Sequence, residues 1–374
     1  MANFYFILLY ILFCSVFAYR RSIIDCKRST SDNSFLFFSM GLMLALNCLR
    51  GLEVGNDTLP YKNLFEYYIG HGTLFSVSDA GIRWMNEYVD IGYRTLNTLF
   101  ARVSSSYQLF ISVIAVFLYG TVSKFIKRES DNVCISVLLF FLVIYHPYMN
   151  VLRQAIAISV ILIGFKHLKN HRYVLFSIYV GLAALFHKTA IITLLLVPLM
   201  RKRNFSLKKT LIVVAIVIGL TATNIVRRAV ALIGYSGMYM NEEQGISTYA
   251  QILLSAVIFM LINYWRGNKL RNYVSGDLVN NETDLDKFYS RIPVVHLCLS
   301  IAGLNIPILY RCSYFFTIFY LTGIPHFVMN SKRSRNNLKV SVFLLLLTYI
   351  VYQTGVLIFR PEWFSEFSYK FFWQ

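Results

Sequence analysis

Nine basic or imidazole side chains, Arg50, His146, Arg153, His187, Lys188, Arg227, Arg228, Arg311 and Arg360, fall at alternate ends of the apolar segments of this chain. Ionisable groups are costly in a bilayer, about 2.5–3.5 kcal/mol at a helix centre, so those near apolar segments need partners. No Asp or Glu occurs between Asp131 and Glu242. Arg153 and Lys188 therefore have no carboxylate in their own stretch and must look to a loop, to water or to a ligand. A phosphate fits that need, because guanidinium groups grip its oxygens in a forked, charge-assisted geometry. A lipid diphosphate would bring both the charge and a greasy tail, and Arg153, Arg50, Lys188 and Arg311 are the candidate diphosphate ligands. The plainer alternative is that these side chains snorkel to lipid headgroups. His187, in LFHKTA, has an ordinary pKa near 6.5 and suits a general base at neutral pH, although a lone histidine more often packs or caps. Asp57 in GNDT and Asp90 in VDIGY are the competing carboxylates, against the common role of loop aspartates in turns. His187 and Asp57 are the catalytic candidates. A base, a phosphate grip and a greasy leaving group together suit glycosyl transfer.

The remaining histidines, His71, His167, His171, His296 and His326, read as structural. No HExxH, glycine-rich phosphate loop or GxSxG elbow is present, so no metal, nucleotide or other cofactor is expected. The six cysteines form no CxxC pair and no Cys/His cluster at zinc spacing.

The elements that must position these groups are membrane helices. Hydrophobic residues make up 57% of the 374 and charged residues 14%, too little polar surface to coat a water-soluble core. The net charge of +18 sits in short runs between apolar stretches, which fits cytoplasmic loops and not a nucleic-acid-binding face. Apolar runs of spanning or near-spanning length lie at 3–19, 34–50, 107–124, 132–148, 151–167, 173–187, 188–200, 210–227, 248–265, 290–306, 311–329 and 340–359. The expected fold is all-α: one integral membrane domain over 1–374 with about 12 transmembrane helices. The pair around His187 is short enough to be one broken element. Loops 20–33, 124–131, 166–172, 201–209, 266–291 and 330–339 hold two thirds of the 36 Lys and Arg residues. They should face the cytoplasm, which puts both termini on the outer, periplasmic side of the inner membrane. The first apolar stretch lacks the basic residues that precede a signal peptide's core and reads as a retained helix.

The outward set includes one long loop, 51–106, rich in aromatic residues and carrying Glu53, Asp57, Glu66, Asp79, Glu87 and Asp90. Loops of that length usually serve function. Within it, Tyr93–Ala101 is spaced as a short amphipathic helix. No internal repeat is evident, unlike the two related halves of many transporters.

Four segments, Arg50–Tyr61 (RGLEVGNDTLPY), Asp90–Phe100 (DIGYRTLNTLF), Asn150–Ala155 (NVLRQA) and Phe186–Ala190 (FHKTA), resemble in order and register the EpsG-like branch of the Wzy-type polymerases of bacterial surface polysaccharide. The likeness spans roughly the first half of the chain. It implies an enzyme joining undecaprenyl-diphosphate-linked oligosaccharide repeat units, without a metal, into O-antigen or exopolysaccharide at the outer face of the membrane. It also implies site roles for Arg50, Asp57, Tyr61, Arg153, Gln154, His187 and Lys188, with Tyr61, Asp90, Tyr93 and Gln154 expected to bind substrate. Asp90 stands where the family is expected to carry glutamate. The expected partners are the lipid-linked oligosaccharide, the bilayer and a chain-length regulator protein, with no nucleic acid. The rival readings are a flippase of the same glycolipid and an O-antigen ligase-type glycosyltransferase.

Overall fold

Each apolar run becomes a helix, because a backbone without water as a partner must satisfy its own N–H and C=O groups. A computed structural model of the chain describes residues 2–19, 31–71, 89–201, 207–223, 246–266, 283–331, 333–359, 361 and 369–374. Among these residues the structure is all-helical, apart from one isolated β-bridge between Arg50 and Phe371. The chain divides into two compact units: Met1–Glu129 with Val133–Ile191 and Tyr349–Gln374, and Ser130–Asn132 with Ile192–Thr348.

In the first unit α1 (Ala2–Tyr19) packs on α2 (Ser31–Cys48), and α2 packs on α5 (Tyr107–Glu129). The segment expected to be loop contains two helices, α3 (Thr58–His71) and α4 (Ile91–Ala101). The second is the expected amphipathic helix; the first was not foreseen. An aromatic cluster joins α3, α4 and α5. Phe65 stacks on Phe110 at 4.7 Å, and Phe100 meets Phe110 edge-on at 5.2 Å. The next run holds α6 (Val133–Leu139), a π-turn over Phe140–Ile144 and α7 (Tyr145–Asn150). Pro147 explains the π-turn, since it lacks the N–H that would bond one turn back and crowds the preceding turn. The helix breaks at Val151 (φ −87°, ψ 63°) and restarts as α8 (Leu152–Lys169). α9 (Tyr173–Phe186) returns along α8, and Gly164 lets them touch: a Cβ there would lie 2.7 Å from that of Tyr179.

In the second unit, α10 (Leu196–Arg201), α11 (Leu207–Ala222) and α12 (Ile246–Trp265) pack against α13 (Asp284–Gly303), which opens with a Thr283–Asp286 capping box. The broken run Pro307–Cys312, Tyr314–Thr317 and Tyr320–Met329 follows. His326 there is held between two carboxylates, Asp131 at 3.0 Å and Asp286 at 2.9 Å. The last helix, Arg335–Phe359, contributes to both units.

Tyr107–Glu129, Val133–Asn150 and Arg335–Phe359 are each long and apolar enough to cross a bilayer, and Pro307–Thr317 with Tyr320–Met329, bent by 49°, would make a fourth span. Ala2–Ala18, Tyr173–Phe186 and Tyr249–Trp265 are shorter apolar helices. Every one of the twelve apolar runs contains helix, and among the described residues three of these helices, or four with the bent pair, have the length and composition to cross a bilayer. Large apolar side chains stand outward along these helices, Phe17 and Phe37 each 74% exposed, as expected where lipid is the solvent.

Polar contacts join helix ends within each unit. Glu129 binds Lys169 at 2.9 Å in the first unit, and Asn330 donates to Asp131 at 3.0 Å in the second, joining loops of the basic set. The motif-bearing ends meet at the other end of the first unit.

Candidate functional site

The Arg50–Thr58 turn is shaped by Gly55, whose φ of +86° is strained for any residue with a Cβ. Two side chains fasten the turn to the corner where α7 ends. Arg50 donates through Nη1 to the Met149 carbonyl at 2.6 Å, and Asn150 accepts the Asn56 N–H at 2.6 Å. The turn carries Asp57 and feeds α3, whose first turn carries Tyr61 into the field of both Asp57 and Arg153. Burial pushes the Tyr61 phenol above its ordinary pKa. Arg153, hydrogen bonded to it, offsets part of the rise, and the charge of Asp57 adds to it. Tyr61 packs edge-on against the fully buried Tyr93 at 5.5 Å.

Asp90 occupies the N-cap of α4 in an extended conformation, but its carboxylate makes no capping bond. It turns inward instead. Oδ2 lies 3.3 Å from Arg153 Nη1 and 3.7 Å from His187 Nδ1. Asp90 is 6% exposed, and a carboxylate that buried requires a cation. Arg153, in the first turn of α8, supplies it, and the positive end of the helix adds to the attraction. Oδ1 has no hydrogen-bond partner among the described residues. His187 ends α9 in an extended conformation (φ −155°, ψ 108°) before a 3-10 segment, Lys188–Leu195. The short pair of apolar runs is therefore a broken element with the imidazole at the break. Gly92 allows α4 to meet that break: a Cβ on it would come within 2.8 Å of the Leu185 carbonyl oxygen.

Six of the residues singled out in the sequence thus converge in the first unit: Asp57, Tyr61, Asp90, Tyr93, Arg153 and His187. Arg153 finds its carboxylate in the long loop, so the pairing predicted to be missing from its own stretch comes from Asp90. Arg50 is 1% exposed, and its Nε and Nη2 lack partners among the described residues. It lies under the C-terminal segment, where Gly51 donates to the Lys370 carbonyl at 2.8 Å and Phe372 to that of Leu49 at 3.0 Å. Gln154 is buried, Lys188 is exposed and Arg311 belongs to the second unit. Arg227, Arg228, Arg360, Asp79 and Glu87 lie outside the described residues.

Sequence reasoning passed over Asn150, Gly55, Gly92 and the C-terminal strap. Asn150 was visible as the first letter of NVLRQA. Gly55 precedes an Asn-Asp pair in a turn-forming string, which is the signal for a left-handed glycine. Nothing local marks the strap, whose partners lie more than 300 residues away.

A family model described as EpsG family matches residues 33–371. No curated protein and no solved structure matches the chain.

Proposed function

The chain belongs to the EpsG family and is a membrane protein of polysaccharide biosynthesis; from that premise we propose that it polymerises undecaprenyl-diphosphate-linked oligosaccharide repeat units on the outer face of the cytoplasmic membrane. The observation that carries this reading is the Asp90–Arg153–His187 cluster, assembled from three separate motifs around one buried carboxylate.

His187 takes the proton of the acceptor hydroxyl as that oxygen attacks the anomeric carbon of the donor. The bond from that carbon to the diphosphate breaks, and undecaprenyl diphosphate departs with the electron pair. Asp90 sits where it can orient the imidazole and stabilise its protonated form, the relation a base and its orienting carboxylate need. A guanidinium carries five N–H donors, so Arg153 can hold Asp90 and Tyr61 and still address a phosphate oxygen. Stabilising charge on the leaving diphosphate in this way is often worth several kcal/mol. Lys188, exposed beside His187, adds a second cation, while Arg50, buried beneath the C-terminal segment, braces the turn through the Met149 carbonyl. Asp57 is the alternative proton acceptor, and Tyr61, backed by the buried Tyr93, lies on the acceptor side. The donor is already activated, so the scheme uses neither nucleotide nor metal.

The surface glycan of a strain lacking the gene provides the test. Single-repeat products without long chains, with lipid-linked units held in the outer leaflet, support polymerisation. Accumulation in the inner leaflet would identify a flippase. Loss of all glycan from its anchor, with polymer intact on the lipid carrier, would identify a ligase.

A further inference from the structure

Asn150 lies between the two segments that carry the candidate groups. It ends α7 one residue before the break at Val151, three positions ahead of Arg153, and it is 6% exposed. Its amide is committed on both sides. Oδ1 accepts the Asn56 N–H at 2.6 Å, and Nδ2 donates to the His146 carbonyl at 3.1 Å while lying 3.2 Å from His146 Nδ1. An N–H on one side and a carbonyl on the other fix which end of the amide is oxygen. Only Asn offers a donor and an acceptor at this reach; Gln is one carbon longer and Asp has no donor when ionised. The surroundings leave no slack. A Cβ on Gly55 would lie 3.3 Å from Asn150 Oδ1 and 3.3 Å from the Met149 carbonyl oxygen, so the turn rests directly on this corner.

We propose that Asn150 is a positioning residue for the transfer reaction: through the Asn56 N–H it locks the turn carrying Asp57 and Tyr61 to the helix start carrying Arg153. The proposal rests on the polymerase reading above. Asp57 follows Asn56 directly, and Tyr61 lies one helical turn further, its N–H bonded to the Asp57 carbonyl at 3.0 Å. The register of both against Arg153 is therefore set in part by this side-chain bond, alongside the bond of Arg50 to the Met149 carbonyl. Asn150 acts through these residues and contacts no reacting atom.

Purified wild type, Asn150→Leu and Asn150→Asp, reconstituted in nanodiscs with an undecaprenyl-diphosphate-linked repeat unit as substrate, separate the possibilities. Leucine has nearly the same shape and no acceptor. It should lower kcat by about a hundredfold, the penalty of roughly an ångström of misplacement, with KM changed less than about threefold. Aspartate keeps the acceptor for Asn56, loses only the donor to His146, and should restore kcat to within about tenfold of wild type. A merely structural role would lower the folded fraction of both variants and leave kcat per folded molecule unchanged. Wild-type kcat in Asn150→Leu overturns the proposal, as does a loss confined to KM, or an Asn150→Asp protein as slow as the leucine variant. If Asn150→Leu does not reach the membrane, the kcat of Asn150→Asp decides alone. Polymer made by wild type but equally by Asn150→Leu removes the positioning role only; absence of polymer from wild type removes the polymerase reading beneath it.

Discussion

Adding one methyl group at Gly92 should disable the site without touching any of its charged residues. An alanine Cβ there would stand 2.8 Å from the Leu185 carbonyl oxygen and 2.9 Å from its carbon. Ordinary van der Waals contact begins near 3.4 Å, so the shortfall is about 0.6 Å against backbone that cannot rotate away. α4 must retreat from the end of α9 by about that distance. Asp90 sits two residues before Gly92 and His187 two after Leu185, so their 3.7 Å separation opens past 4 Å and the 3.3 Å contact with Arg153 lengthens as well. A displacement approaching 1 Å costs up to about a hundredfold in rate, equivalent to about 2.7 kcal/mol of transition-state stabilisation. Overpacking itself should cost about 1–3 kcal/mol of stability. Gly181→Ala supplies the control, because a Cβ at Gly181, on the same helix as Leu185, meets nothing within 4 Å. The assay is the rate of lipid-linked repeat unit consumed per folded molecule. Gly92→Ala matching Gly181→Ala would refute the claim that this close approach sets the Asp90–His187 geometry.

Other substitutions probe the parts separately. Arg153→Ala should lower the rate by about 10²–10³ while the protein still reaches the membrane; normal long polymer in that strain would remove Arg153 from the site. His187→Gln should lower kcat by about 10²–10⁴, and full activity there would move the proton-accepting role to Asp57. Gly51→Ala should lift the C-terminal strap, since its Cβ would lie 3.1 Å from the Phe371 carbonyl oxygen and 3.2 Å from that of Lys370. Faster hydrogen exchange across residues 369–374 is the expected sign, and unchanged exchange contradicts it. His326→Gln should lower the thermal midpoint by breaking charge-assisted bonds worth about 1.5–3 kcal/mol each, with the polymer ladder retained.

Helices were legible in the sequence because the bilayer demands long apolar runs, and the runs at 107–124 and 173–187 reappear as Tyr107–Glu129 and Tyr173–Phe186. The shortness of the runs around His187 announced the break that the structure contains there, whereas the π-turn before Pro147 was not read from the sequence. The helix Thr58–His71 was hidden because a partly polar helix packed on protein carries no bilayer-length signal. Its start was nonetheless marked by Asp57 and Pro60, an N-cap residue and a first-turn proline. The site residues were legible as types but not as pairs. Asp90 and Arg153 are 63 positions apart, and no periodicity relates them. Arg153 had no carboxylate in its own stretch and was left to a loop, to water or to a ligand; the chain folds the long loop back to supply one. The burial of Arg50 beneath Phe371 was invisible for the same reason.

Glycan synthesis by the purified protein measures the central claim most directly. Reconstituted with an undecaprenyl-diphosphate-linked repeat unit and excess EDTA, it should yield a ladder of glycan lengths. One undecaprenyl diphosphate should appear per new linkage, and Asp90→Asn and His187→Gln should both suppress the ladder. Substrate left at single-repeat length by folded wild-type protein, or a ladder undiminished in both variants, would contradict the account.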